Sequence, residues 1–179
     1  MARRTSAGYT LIELLMVVAI LSIAAVVVIP SSAPLAEFNA DAAATEVALA
    51  LRFARDEAKR TGQSRVVECE RALNRIAVNA IDSSKPDAAV STVPVAHPYV
   101  VALNAVPAGN TMALISCTFT FADNTSVATI AFDSAGNPVR GLGSAAARTQ
   151  ALRSGVVVLG AGNTRRSIAV DGTGRITIS

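Results

Sequence analysis

One uninterrupted apolar run constrains this chain more than any other feature. Residues 9–29 read YTLIELLMVVAILSIAAVVVI, 21 residues with a single ionisable group, Glu13. At about 1.5 Å per residue, a helix of that length spans about 30 Å, the hydrocarbon thickness of a bilayer. Arg3 and Arg4 precede the run, and basic residues before a first span hold the N-terminus on the cytoplasmic side. The residues after it hold no second run of this kind. The expected topology is one membrane pass with the N-terminus inside and a larger domain on the far side. Composition agrees with one oily segment joined to one domain: 179 residues, 51% hydrophobic, 16% charged, against roughly 25% charged in an average soluble chain. Eleven Gly and seven Pro without a repeat exclude collagen and low-complexity disorder.

A secretory signal peptide is the alternative reading of such a run. The run is longer than the roughly 7–15 apolar residues of a signal peptide and carries a carboxylate. The small residues Ser31, Ser32 and Ala33, which would precede a cut, are followed by Pro34. Glu13 is the informative residue. A carboxylate in a spanning helix costs roughly 2.5–3.5 kcal/mol at the bilayer centre and less near an end. It needs a partner, and the run contains no basic residue. The nearest available cation is a new α-amino group, released if the chain is cut just before Tyr9, and supplied in an assembly by a neighbouring subunit.

The segment Arg3-Arg4-Thr5-Ser6-Ala7-Gly8 followed by Tyr9-Thr10-Leu11-Ile12-Glu13 resembles the type III signal of the type IV pilin superfamily. The resemblance implies that a prepilin peptidase cuts after Gly8 on the cytoplasmic face and methylates the new N-terminus, Tyr9. It implies that Glu13 pairs with the amine of an adjacent subunit during assembly. Tyr9 departs from the family's usual Phe while keeping the ring. The segments expected are a leader, 1–8; a transmembrane and assembly helix, 9–29; an amphipathic helix, 30–62; and a β-rich head, 63–179.

Pro30 and Pro34 follow the run. A proline inside a helix removes a backbone hydrogen bond and clashes with the preceding turn, so a kink or local melting is expected there. The resemblance agrees, since many pilins carry a proline at this place. From residue 35 to 60, Val47, Ala50, Leu51, Ala54 and Ala58 recur on one face, with Arg52, Arg55, Asp56 and Lys59 mainly on the other. A small, Ala-rich stripe suits a helix lying close against a sheet. Lys59 and Arg60 complement the dipole at its end, and Gly62 is the expected left-handed cap.

Beyond Gly62 the texture changes to short β-branched runs between turn residues. Strands are expected at 64–70, 75–81, 99–106, 113–121, 128–133, 155–159, 166–170 and 175–179. Turns are expected at 133–138 and 171–174, and loops at 83–95 and 141–153. The fold class is α+β: a long N-terminal helix packed on an antiparallel sheet. The order resembles the GspH/FimT-type minor pilins and pseudopilins, through residues 51–58, Gly62-Gln63, the strand ending at Cys69, residues 132–138 and Gly174-Arg175-Ile176. Residues 81–106 match poorly. The resemblance implies a subunit of a type IV pilus or a type II secretion pseudopilus, at or near its tip. Its partners would be the prepilin peptidase, other pilins or pseudopilins and the inner membrane, with the head in the periplasm and later at the cell surface.

Nothing in the chain points to catalysis. His97, the only histidine, lies between Ala96 and Pro98, and no second imidazole exists to complete a His-based metal site. The metallopeptidase, hydrolase and phosphate-loop motifs are absent. Gly160-Ala161-Gly162-Asn163 opens like a dinucleotide motif but lacks the third glycine and reads as a hairpin turn. No enzyme activity, cofactor or metal is expected. Cys69 and Cys117 both fall in expected strands; a disulfide and two buried thiols are both open, and an oxidising compartment favours the former.

Charge is distributed unevenly. Residues 9–133 hold eight Lys/Arg against twelve Asp/Glu, whereas residues 134–179 hold six Arg against Asp171 alone. Arg165, Arg166 and Arg175 are expected close together on the final hairpin, a candidate patch for phosphates of double-stranded DNA. Some FimT-like minor pilins resemble this in binding DNA for uptake. A solvated basic face is the competing reading. No aromatic residue follows Phe132, so base stacking in this region is excluded.

Overall fold

A computed structural model describes residues 9–28, 33–81, 92–93, 99–105 and 112–179. Gly8, Pro30, His97 and most of the expected 83–95 loop lie outside the described residues. The chain divides into two compact units, residues 1–33 and 34–179.

The first unit contains α1, Leu11–Val28. Its start follows from local chemistry. The Thr10 hydroxyl accepts from the Glu13 N–H at 3.3 Å, and the Thr10 carbonyl accepts from the N–H groups of Glu13 and Leu14. Thr-x-x-Glu before an apolar run is the sequence pattern of a capping box. No helix among the described residues is long and apolar enough to cross a membrane. The 18 described residues of α1 amount to about 27 Å of helix, short of the expected span. Tyr9 and Thr10 precede the first helical turn, and Ile29 lies outside the described residues.

The second unit opens within the first turn of α2, Ala33–Thr61. Pro34 falls in its first turn, where a missing backbone N–H has no intrahelical acceptor to lose. The expected Ala-rich stripe is the buried face: Val47, Ala50, Ala54 and Ala58 are fully buried and Leu51 is 1% exposed. Ala40, Ala43, Ala44 and Ala48 extend the stripe toward the helix start. Gly62 adopts φ +67° and ends the helix, as a left-handed residue after a last turn does.

The head's described strands form two antiparallel sheets rather than the single sheet expected. The first contains β1 (Arg65–Glu70), β2 (Arg75–Ile81), β3 (Thr92–Val93), β4 (Tyr99–Ala102), β7 (Thr129–Phe132) and β8 (Pro138–Val139). They run in the order β3-β2-β1-β7-β8, with β4 also on β2. The second contains β5 (Ala113–Phe121), β6 (Ser126–Val127), β9 (Leu152–Ala161), β10 (Thr164–Asp171) and β11 (Ile176–Ile178), in the order β11-β10-β9-β5-β6. One core joins α2 to both sheets, filled by Phe119, Phe121, Phe132, Ile76, Ile130, Leu159 and Ile168.

The expected strands 75–81 and 113–121 have the observed bounds. The expected strand 99–106 stops at Ala102, because the chain turns: Ala105 N–H donates to the Ala102 carbonyl. Two-residue strands β3, β6 and β8 were not expected, since two residues show no alternation. A short helix, α3 (Ala145–Arg148), breaks the expected 141–153 loop, and β9 begins at Leu152 within it. Cys69 in β1 and Cys117 in β5 are disulfide-bonded, 6.3 Å between Cα atoms. The bond therefore ties one sheet to the other across 48 residues of sequence.

Candidate functional site

Tyr9, Thr10 and Glu13 meet at the start of α1. Tyr9 is 83% exposed, one residue ahead of the capping threonine. Glu13 is exposed in the first turn, where the positive end of the helix dipole favours a carboxylate. The side chains next to it are apolar and exposed, Leu11 81%, Ile12 67% and Leu14 61%, and so is Ile23 further along the helix, at 70%. A helix that is apolar all round is stable only when something covers it. This terminus thus joins a lone carboxylate, a capped helix start and an uncovered apolar rod.

The basic end of the chain is arranged differently from the expectation. Arg165 and Arg166 are neighbours on β10 and, by strand alternation, face opposite sides of the sheet. Arg166 shares its side with the buried Ile168 and Val170. There it donates to Asp41 and at 3.1 Å to Glu37, both on α2. Hydrogen bonds to Asp41 and then Glu37 raise its pKa further. Arg165 lies over Gly160, where an added Cβ would fall 2.2 Å from its Nη1. Arg175 stands across from Asp171, whose N–H donates to the Arg175 carbonyl. Six residue steps along β10 separate that position from Arg165, about 20 Å at roughly 3.3 Å each. The three arginines therefore do not cluster, because the turn joining β10 and β11 lies at the opposite end of β10 from Arg165. Arg166 is also already committed to two carboxylates.

Residues 3–29 match the model of the prokaryotic N-terminal methylation motif. The fold is similar to that of the minor pseudopilin EpsH from the Type 2 Secretion System of Vibrio cholerae. One EpsH structure has a TM-score of 0.53 at 9% identity, covering 80% of this chain and 97% of that one. A second has a TM-score of 0.51 at 10% identity, covering 79% and 96%. The chain shares the fold of this minor pseudopilin. The type IV minor pilin FimU of Pseudomonas aeruginosa is also similar, with a TM-score of 0.47, 14% identity and coverage of 78% and 87%. No curated protein sequence matches the chain.

Two features of this chain escaped sequence reasoning. Thr10 caps α1, and the signal for it, Thr10-x-x-Glu13, was present in the sequence. Glu37 and Asp41 neutralise Arg166 from 129 and 125 residues away, a pairing no local pattern announces. The turns of the head were legible. Asp133 accepts from the N–H groups of Ala135 and Asn137 and from the Asn137 amide. Asp171 accepts from the Thr173 hydroxyl and N–H and from the Arg175 N–H. The Thr173 hydroxyl first, and then the Arg175 N–H, hold the Asp171 carboxyl below its ordinary pKa.

Proposed function

We propose that the protein is a minor pilin or pseudopilin, made as a precursor and assembled into a type IV pilus or a type II secretion pseudopilus, at or near the tip. A prepilin peptidase removes residues 1–8 and methylates Tyr9. The segment 9–29 holds the precursor in the inner membrane with the head in the periplasm, and passes into the filament with its sibling subunits. Glu13 pairs there with the N-terminal amine of a neighbour. The observation that supports this reading best is the methylation motif on residues 3–29, which takes in α1, a helix whose described side chains are exposed. A rod of that kind needs lipid before assembly and neighbouring helices after it.

The test is Glu13→Ala in cells that make the filament. The expected result is a processed, membrane-held protein that is absent from sheared filaments, with an unchanged head. Normal incorporation of the variant contradicts the assignment of Glu13.

A further inference from the structure

We propose that the head binds a carboxylate group, carried on a short apolar stem, in a cleft walled by the segment that contains α3. This goes beyond the filament reading and does not depend on it. The cleft has a volume of about 690 Å³, within the roughly 300–1,000 Å³ of small-ligand sites. It lies between the start of β1, the end of β2 and the stretch from β8 to Thr149.

The local backbone explains why the cleft exists. Gly141 adopts φ +72° and sits so close to the first sheet that an added Cβ would lie 2.1 Å from the Ala131 Cβ. Its N–H donates to the Arg148 carbonyl at 3.1 Å, and Arg140 N–H donates to the Gln150 carbonyl at 2.9 Å. The Ser144 hydroxyl caps α3 by accepting from Ala147 N–H. The segment is pinned at its base and turned back on itself, and Arg148 forms part of the cleft wall.

The chemistry of the wall is donor-rich. The half-buried Arg148 guanidinium makes no hydrogen bond or ion pair with the described residues. The Gln63 amide and the Ser64 hydroxyl, which also line the cleft, are unpaired in the same way. Among the described residues, Asp133 is the one carboxylate in the wall. Its oxygens already take three hydrogen bonds from its own turn, which leaves it about one further acceptor position. Ile81 and Val139 supply an apolar floor. A free guanidinium and two neutral donors lining one cleft form a donor set that a carboxylate satisfies, and arginine can do so with two parallel bonds.

The experiment titrates the purified full-length chain, in mild detergent, while the amide resonances of Gly141 and Thr149 are followed by NMR. Three probes are used: glutarate, the blocked tripeptide acetyl-Ala-Glu-Val-amide, and the same peptide with Gln in place of Glu. The expected result is a saturable shift with a carboxylate probe and at least tenfold weaker binding of the Gln peptide. Arg148→Ala is expected to weaken the carboxylate probe at least tenfold, Arg148→Lys less, and Arg153→Ala not at all. Equal binding by glutarate and the Glu peptide marks a free small acid as the source. Preference for the peptide marks a segment of another protein. Both support the site. Equal binding of the Glu and Gln peptides, an unchanged affinity in folded Arg148→Ala, or no shift with any probe overturns it.

Discussion

The two long helices are made of similar apolar residue types and end in opposite situations. α1 is built from Leu, Ile, Val and Ala with one charge, and its large side chains, from Leu11 to Ile23, are half exposed or more. α2 carries acids and bases along its length, yet nine of its Ala, Val and Leu residues are buried to 1% exposure or less. The difference lies in pattern. An apolar stripe at helical spacing defines one face, and one face can be covered by a sheet. A helix apolar all round defines no face and is left for a surrounding medium or for other helices. Total hydrophobicity therefore says little about which segment builds this protein's core.

The comparison breaks most sharply under a single buried charge. Ala54→Asp places a carboxylate in the stripe of α2, and an uncompensated buried charge costs about 3–5 kcal/mol. The melting transition of the head should fall steeply or vanish. Val17→Asp, on the exposed α1, should leave that transition where it was. Equal effects of the two substitutions would contradict the division.

The next effect concerns the tie between the sheets. Cys69→Ala with Cys117→Ala removes the disulfide and should cost about 2–5 kcal/mol, read as a lower denaturation midpoint of the head. The same reduction should leave the helicity of α1 unaltered, since no sulfur lies in it.

The smallest effect is read from pH. Hydrogen bonds hold the Asp171 carboxyl below its ordinary 3.8. A carboxyl with a lowered folded pKa contributes stability that is fully present above the unfolded value and is lost as pH falls through the folded one. The melting temperature of the head should hold from neutral pH to about pH 5 and decline below about pH 4. Asp171→Asn should flatten part of that decline. Asp123, lowered chiefly by the Thr125 N–H, and Glu57, lowered chiefly by Arg60, contribute in the same direction.

What the sequence revealed follows the range of each interaction. The Ala stripe, the Gly62 cap and the turns at Asp133 and Asp171 depend on residues within a few positions, and all were legible. The pairing of Arg166 with Glu37 and Asp41 depends on β10 passing the first turns of α2, which no spacing encodes. The split into two sheets also depends on tertiary arrangement, since β1 takes β7 as its neighbour while β5 takes β9. The disulfide was an open alternative in the sequence, because only the packing of one sheet against the other brings Cys69 and Cys117 to 6.3 Å between Cα atoms. At the α1 terminus, Glu13 was singled out by its lone charge, whereas Thr10 was overlooked because its role lies in the backbone.

The central claim is that residues 1–8 are a leader, and that Tyr9 begins the mature subunit. An intact-mass and N-terminal fragment measurement on the protein recovered from membranes of its own cells tests this most directly. The account predicts a chain beginning at Tyr9 and carrying one added methyl group on its α-amine. A chain that keeps Met1 to Gly8, or one cut after Ala33 as a secretory signal would be, contradicts it.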